Sequence, residues 1–200
     1  MLHLKQILTI EQQFRLVELC REIATIAPFI TQVMPRSGQP LNCQQTSCGK
    51  VGWITDINGY RYDRLQPNKN PFPPMPDTLI DLAVKIALRA GEPEYQPETC
   101  LINYYRPETG KLGVHQDNSE SNLKPAIISI SLGDDCEFVV GGTLRSDPLQ
   151  SITLRSGDIL VLHGESRLAH HGVKRIIPNT APTGLLKNNG RLNLTIRQVF

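Results

Sequence analysis

His115, Gln116 and Asp117 carry the first chemical signal in the chain. In an extended segment residues two apart face the same side. One imidazole and one carboxylate are therefore aimed at one point. Such a pair can fill two positions of a divalent metal. A second histidine from elsewhere would complete a facial set of two histidines and one carboxylate, with open positions for substrate and oxygen. That arrangement favours non-haem Fe(II). An HxD alone is common by chance. The chain has five histidines: His3, His115, His163, His170 and His171. His3 is near the N-terminus and is expected to be solvated. The third ligand then falls to His163, His170 or His171, which spacing does not rank. The stretch of about 50 residues between Asp117 and His171 is long enough for intervening strands to leave the site and return to it.

The C-terminal segment RLNLTIRQV is the second signal. Leu192, Leu194 and Ile196 point one way; Arg191, Asn193, Thr195 and Arg197 point the other. An antiparallel strand with one wet face gives the same alternation. If the polar face instead lines the inside of a barrel, Arg191 and Arg197 stand about 20 Å apart along the strand. Their side chains could lean inward and grip the two ends of a small dicarboxylate, because a guanidinium matches carboxylate geometry bidentately.

These groups need elements to position them. Thr9 followed by Gln12 is a capping-box signal. Leu16, Leu19, Cys20 and Ile23 then recur at helical spacing. A second helix is predicted after Asp77, with Leu79, Leu82, Ala83, Ile86 and Ala90 on one face and Gly91 and Pro93 ending it. Between the helices, Pro67, Pro71, Pro73, Pro74 and Pro76 exclude a central strand or a helix interior. Trp53, the only tryptophan, lies upstream with Tyr60 and Tyr62. This irregular region reads as a rigid connector or as a lid over a pocket. From residue 100 onward, short strands are predicted at 101–105, 126–132, 137–140, 151–154, 159–162 and 192–199. The whole reads as α+β with a sandwich or jelly-roll core.

Composition narrows the function classes. The chain has 200 residues, 40% hydrophobic and 20% charged, with formal net charge +2. These values fit a globular domain and exclude a disordered acidic chain, a coiled coil and a histone-like binder. No apolar run suits a membrane helix, and the N-terminus does not read as a signal peptide. The cysteines (Cys20, Cys43, Cys48, Cys100 and Cys136) are odd in number and form no CxxC, as expected of thiols in a reducing cytosol. Basic residues cluster locally. Residues 36–69 hold Arg36, Lys50, Arg61, Arg64 and Lys69 against Asp56 and Asp63. Residues 167–191 hold Arg167, Lys174, Arg175, Lys187 and Arg191 with no acid. Phosphate contacts around one pocket, weakening with salt, are expected from this pattern.

NYYRPETGKLGVHQD, PAIISISLG, SGDILVLHGESRLAHHGV and RLNLTIR, in this order and at these gaps, resemble the AlkB-type Fe(II)/2-oxoglutarate dioxygenases. The likeness extends upstream through CGKVGW and the proline-rich stretch. It implies one dioxygenase domain over residues 1–200, an α+β fold. A double-stranded β-helix (jelly-roll) core spans about 100–200, after N-terminal helices and a substrate-recognition lid at about 35–76. The family's distal histidine precedes glycine, as His171 precedes Gly172. The resemblance therefore assigns His115, Asp117 and His171 to iron. It places Asn103, Tyr105, Arg191, Asn193 and Arg197 around 2-oxoglutarate, and the alternation of both strands agrees. It implies oxidative dealkylation of N-alkylated bases in DNA, and also RNA, with Fe(II), 2-oxoglutarate and O2, releasing formaldehyde, succinate and CO2. The base must be flipped out or single-stranded to reach the iron. Trp53 would stack on it, His115 on its other face, and Tyr60, Arg145 and Ser119 would contact the substrate. Ser119 departs from the family, whose bacterial members carry an acid there, and Glu120 stands next to it. The enzyme is expected to be a cytoplasmic monomer without membrane contact. Two alternatives are the same chemistry on a protein, lipid or small molecule, and a non-catalytic nucleic-acid binder of the same fold.

Overall fold

The computed structural model describes residues 1–200. Two helices pack outside a pair of antiparallel sheets. Helix α1 (Ile10–Ile26) starts at Thr9, whose hydroxyl accepts from Gln12 N while its own N–H donates to Gln12 Oε1. Helix α2 (Asp77–Arg89) begins directly after Pro76. The buried stripe of α1 (Leu16, Val17, Leu19, Cys20, Ile23) and that of α2 (Leu79, Ala83, Ile86, Ala87) join one hydrophobic cluster.

The strands in chain order are β1 (Leu2–Leu4), β2 (Gln44–Gly49), β3 (Gly52–Asp56), β4 (Gly59–Asp63), β5 (Thr99–Tyr105), β6 (Leu112–His115), β7 (Ile127–Gly133), β8 (Asp135–Val140), β9 (Gln150–Leu154), β10 (Ile159–Leu162), β11 (His171–Ile177) and β12 (Arg191–Arg197). The larger sheet runs β1-β10-β7-β12-β5-β2, the smaller β6-β11-β8-β9, and β3 and β4 form a separate hairpin. From β7 on, the chain crosses repeatedly between the two sheets, which makes a jelly roll. Gly133 sits at the first crossing, with φ of +91°, where a Cβ would stand 2.4 Å from the Gly190 carbonyl. Any side chain there would collide with that carbonyl and strain the turn.

Register decides what each face carries. Arg191 pairs with Tyr105 and Asn193 with Asn103; on the other side Asn193 pairs with Ser131 and Thr195 with Ser129. Paired residues share a face. The larger sheet thus turns Leu192, Leu194, Ile196, Ile102 and Ile128 to the helices, and its polar ladder to the smaller sheet. A second cluster, including Tyr105, Phe138, Leu160 and Val173, closes the space between the sheets.

Several elements depart from the sequence expectation. The segment between the helices is not irregular throughout, since β2 completes the larger sheet and β3–β4 form a hairpin. Strands β1, β6 and β11 were also not predicted. His3 is not solvated: β1 pairs with β10 and carries the His3 ring to Asp158, 2.9 Å away. All five cysteines are buried free thiols. No helix is long and apolar enough to cross a membrane.

Candidate active site

Three of the singled-out residues meet at the mouth between the sheets. His115 ends β6, Asp117 follows it, and His171 opens β11. The β6–β11 register sets His171 directly opposite His115, with ring centroids 4.6 Å apart. One ligating atom from each of His115, Asp117 and His171 lies within 4.8 Å of the others. His163 and His170 are outside this cluster. Each ring of the pair is oriented by a backbone carbonyl: His115 Nδ1 to Gly113 O at 2.8 Å and His171 Nδ1 to Ala169 O at 2.9 Å. A proton on Nδ1 leaves Nε2 as a lone-pair donor turned toward Asp117.

Gly172 explains why a glycine follows the distal histidine. A Cβ there would stand 2.8 Å from Leu112 O and 3.1 Å from Gly113 O. Gly172→Ala should push β11 off β6 and separate the two imidazoles. Removing outer-shell support typically weakens metal binding about 10–100-fold, and Fe(II) titration of this variant under anaerobic conditions should show a loss of that order. Unchanged affinity would mean the strands tolerate the extra atom.

The charge states of His171 and Asp117 suit metal ligation. Burial drives both imidazoles toward the neutral form. For His171 burial prevails and its pKa falls. For His115 the Asp117 carboxylate outweighs burial, and its pKa rises. Burial works against the Asp117 anion, but the Arg197 guanidinium and the two imidazoles hold its pKa well below the ordinary range. Arg197 Nη2 donates to Asp117 Oδ2 at 2.6 Å.

The polar ladder continues inward from Arg197. Arg191, at the far end of β12, is 1% exposed. Its guanidinium donates to Ser131 Oγ and to the carbonyls of Asp134 and Leu154, and it makes no ion pair. Its Nε is buried without a partner, as is Arg197 Nη1. A buried cation without a counter-ion is costly; donors left over on this face suit an oxyanion. Asn193 Nδ2 donates to Ser129 Oγ and to Ile130 O. Burial holds the Tyr105 phenol well above its usual pKa, so it stays a neutral donor. The donor set thus fits Fe(II) at one end and a dicarboxylate along the face.

The sequence profile of the 2OG-Fe(II) oxygenase superfamily matches residues 1–197. The chain belongs to this superfamily. This oxygenase is 41% identical over 193 residues to an alpha-ketoglutarate-dependent dioxygenase AlkB homolog of Caulobacter vibrioides, which covers 96% of this chain and 84% of that protein. It is 36% identical over 218 residues to the DNA N(6)-methyladenine demethylase ALKBH1D of Arabidopsis thaliana, covering 98% of this chain and 49% of that protein. The solved structure of OsALKBH1 superposes with a TM-score of 0.84 at 32% identity, over 98% of this chain and 97% of that one. The oxygenase is therefore an Fe(II)/2-oxoglutarate-dependent dioxygenase built on a double-stranded β-helix, with Fe(II), 2-oxoglutarate and O2 as its cofactors.

Four side chains to which sequence reasoning gave no bracing role hold the oxygenase's site in place. Glu120 lies 3.1 Å from Arg197 Nε and 3.2 Å from Arg167 Nη2. Arg167 also donates to the carbonyls of Asp117 and Pro125. Gln116 points the other way from its neighbours and donates to Thr143 O and Leu168 O. Tyr62 donates to Glu120 Oε1 at 2.6 Å. Trp53 pairs with Tyr62 and Thr55 with Tyr60, so Trp53, Tyr60 and Tyr62 share the hairpin face that Tyr62 ties to Glu120. The Trp53 and Tyr60 rings are stacked, 5.6 Å apart. Arg145 and Ser119 are exposed. Glu120 is sealed among its cations and cannot stand in for the acid missing at Ser119.

The pattern of basic clusters needs correction. Arg167 and Arg191 are buried, and Lys174 and Arg175 both bridge to Glu137. Lys50 pairs with Glu98, and Arg61 with Asp56. Of the residues counted in the two segments, only Arg36, Arg64, Lys69 and Lys187 remain without an acidic or structural partner. Lone arginines and lysines in a list of sequence positions cannot reveal which of them fold onto acids far along the chain.

Proposed function

We propose that this oxygenase dealkylates N-alkylated bases of DNA, and also of RNA. The observation that carries the reading is the His115–Asp117–His171 cluster with an aromatic hairpin pinned beside it through Tyr62 and Glu120. The Arabidopsis relative, a DNA N(6)-methyladenine demethylase, supports a nucleic-acid substrate.

In this reading His115 and His171 hold Fe(II) through Nε2 and Asp117 through its carboxylate. Arg191 takes the distal carboxylate of 2-oxoglutarate, and Arg197, Asn103, Asn193 and Tyr105 line its path. Fe(II) held there would supply oxidation of the N-alkyl carbon to a hydroxymethyl at the expense of O2 and 2-oxoglutarate, the latter leaving as succinate and CO2; cleavage of the C–N bond would then return its electron pair to the base nitrogen and release formaldehyde, with the hydroxyl proton passing to that nitrogen or to water. Arg197 holds Asp117 ionised and in place, and the carbonyls of Gly113 and Ala169 keep both histidines in the ligating tautomer. Trp53 offers the face on which a flipped base stacks, with the His115 ring opposite. Tyr60 and Arg145 contact the nucleic acid or base, and Ser119, where an acid is missing, bears on base preference. The domain spans 1–200 with residues 35–76 as the lid, and the enzyme works as a cytoplasmic monomer.

Formaldehyde released from a 3-methylcytosine oligonucleotide, dependent on Fe(II) and 2-oxoglutarate, tests the activity. Stacking on an aromatic ring contributes about 1–3 kcal/mol per base. Trp53→Ala should therefore lower kcat/KM for the oligonucleotide by about 5–150-fold. An unchanged kcat/KM would remove Trp53 from substrate binding.

A further inference from the structure

The hairpin reaches the larger sheet through side-chain amides. Thr55 N–H donates to Gln32 Oε1 at 2.7 Å. A backbone N–H only donates, so this bond decides which end of the Gln32 amide is oxygen. Gln32 Nε2 then donates to Gln45 Oε1 at 3.0 Å and to the Trp53 carbonyl at 3.3 Å. Gln45 Nε2 in turn donates to Asn103 Oδ1 at 2.7 Å. Each amide forces the polarity of the next. The far end is Asn103 Nδ2, a donor on the polar face beside Asn193. Gln32, Gln45 and Asn103 are all buried, where a reversed amide would set oxygen against oxygen.

This connection is separate from the Tyr62–Glu120 tether, which leads through Arg197 to Asp117 and not to Asn103. Neither β3 nor β4 joins the ladder of either sheet. A cavity of about 160 Å³, lined by Ile30, Gln32, Gln45, Trp53 and Phe72 among others, lies between the hairpin and β2. On the cavity side the hairpin is tied by Gln32, and Thr55 Oγ1 donates to the Val33 carbonyl beside it.

We propose that Gln32 and Gln45 are positioning residues that couple the co-substrate face to the Trp53 hairpin. A carboxylate accepting from Asn103 Nδ2 holds that amide in one orientation. Asn103 then holds Gln45, Gln45 holds Gln32, and Gln32 holds the backbone on both sides of Ile54. Coupling of this kind is reciprocal, so a base seated on Trp53 tightens co-substrate binding by the same factor. The proposal rests on the reading of Asn103 as a 2-oxoglutarate contact.

Trp53 is the only tryptophan, so its emission reports the hairpin directly. The experiment titrates 2-oxoglutarate into Zn(II)-loaded protein, Zn(II) being redox-silent, and follows heat and Trp53 emission together. In the wild type the emission should shift with the calorimetric Kd, and 2-oxoglutarate should tighten binding of a 3-methylcytosine oligonucleotide by about tenfold. Gln45→Met keeps length and removes the relay. It should still bind 2-oxoglutarate, but with no emission shift and a tightening factor of about one. Gln32→Met should give the same result from the other end of the relay. Gln45→Glu keeps shape but sets an acceptor against Asn103 Oδ1; it should turn that amide round and weaken 2-oxoglutarate binding, which a merely space-filling Gln45 would not. Heat without an emission shift in the wild type, or a shift that survives in both Met variants, overturns the relay. Absence of binding heat in the wild type overturns the reading of the co-substrate face itself, and the relay with it.

Discussion

His171→Ala should abolish formaldehyde release and lower Fe(II) affinity by well over ~100-fold, since loss of outer-shell support alone costs about 10–100-fold. His171 presents Nε2 to the cluster because its Nδ1–H donates to Ala169 O. Burial keeps the ring neutral, so the lone pair is available. Alanine supplies no donor, and His115 and Asp117 alone form too small a set to hold the metal. The comparison that makes this decisive is His170→Ala. His170 is the adjacent residue and is also buried, but it lies outside the cluster. Its alanine variant should retain Fe(II) binding. Anaerobic calorimetry with Fe(II) reads both. If His171→Ala bound iron as the wild type does, the metal assignment would be wrong.

Glu120→Leu should destabilise the fold by about 3–5 kcal/mol, the usual cost of stranding a buried charge. The Glu120 side chain is 1% exposed and faces both Arg167 and Arg197. Without it Arg167 is left with backbone carbonyls and no acid, Arg197 is left with Asp117 alone, and the Tyr62 hydroxyl loses its acceptor. For a chain of this size the melting temperature should fall by roughly 6–20 °C. Glu120→Gln keeps the shape and an acceptor oxygen, so it should lose less. Calorimetric melting of the three proteins tests the order. A drop of under ~2 °C for Glu120→Leu would mean the network is already solvated. The same variant should release the hairpin, because Tyr62 is its tether to the metal-binding end of the site.

The bracing network shows where reading the chain residue by residue stops. Glu120 and Arg167 are 47 residues apart, and Tyr62 and Glu120 are 58 apart. No spacing rule connects them. Glu120 drew notice only as a neighbour of Ser119, and Arg167 only as one more basic residue. Strand β2 was missed for a related reason. QQTSCG has no apolar alternation, since one face carries Gln45 and Ser47 against the polar ladder and the other carries Gln44, Thr46 and Cys48, of which only Cys48 joins the hydrophobic cluster. Strand β11 was hidden by Lys174 and Arg175, which are exposed, and by an irregularity after His171.

What the sequence determined by itself is whatever repeats locally. The period of two put His115 and Asp117 on one side and gathered Arg191, Asn193, Thr195 and Arg197 on one face. The Thr9–Gln12 box set the start of α1. The ordered motifs pointed to the family and singled out His171. Only the tertiary structure decided which charges are free, because ion pairing depends on where strands cross and not on where residues fall in the chain. It placed Gly172 under the β6 carbonyls, where no side chain fits. It also turned Tyr62 onto Glu120 and strung Gln32, Gln45 and Asn103 into one directed line, since a buried amide takes its orientation from the partner that folding brings to it.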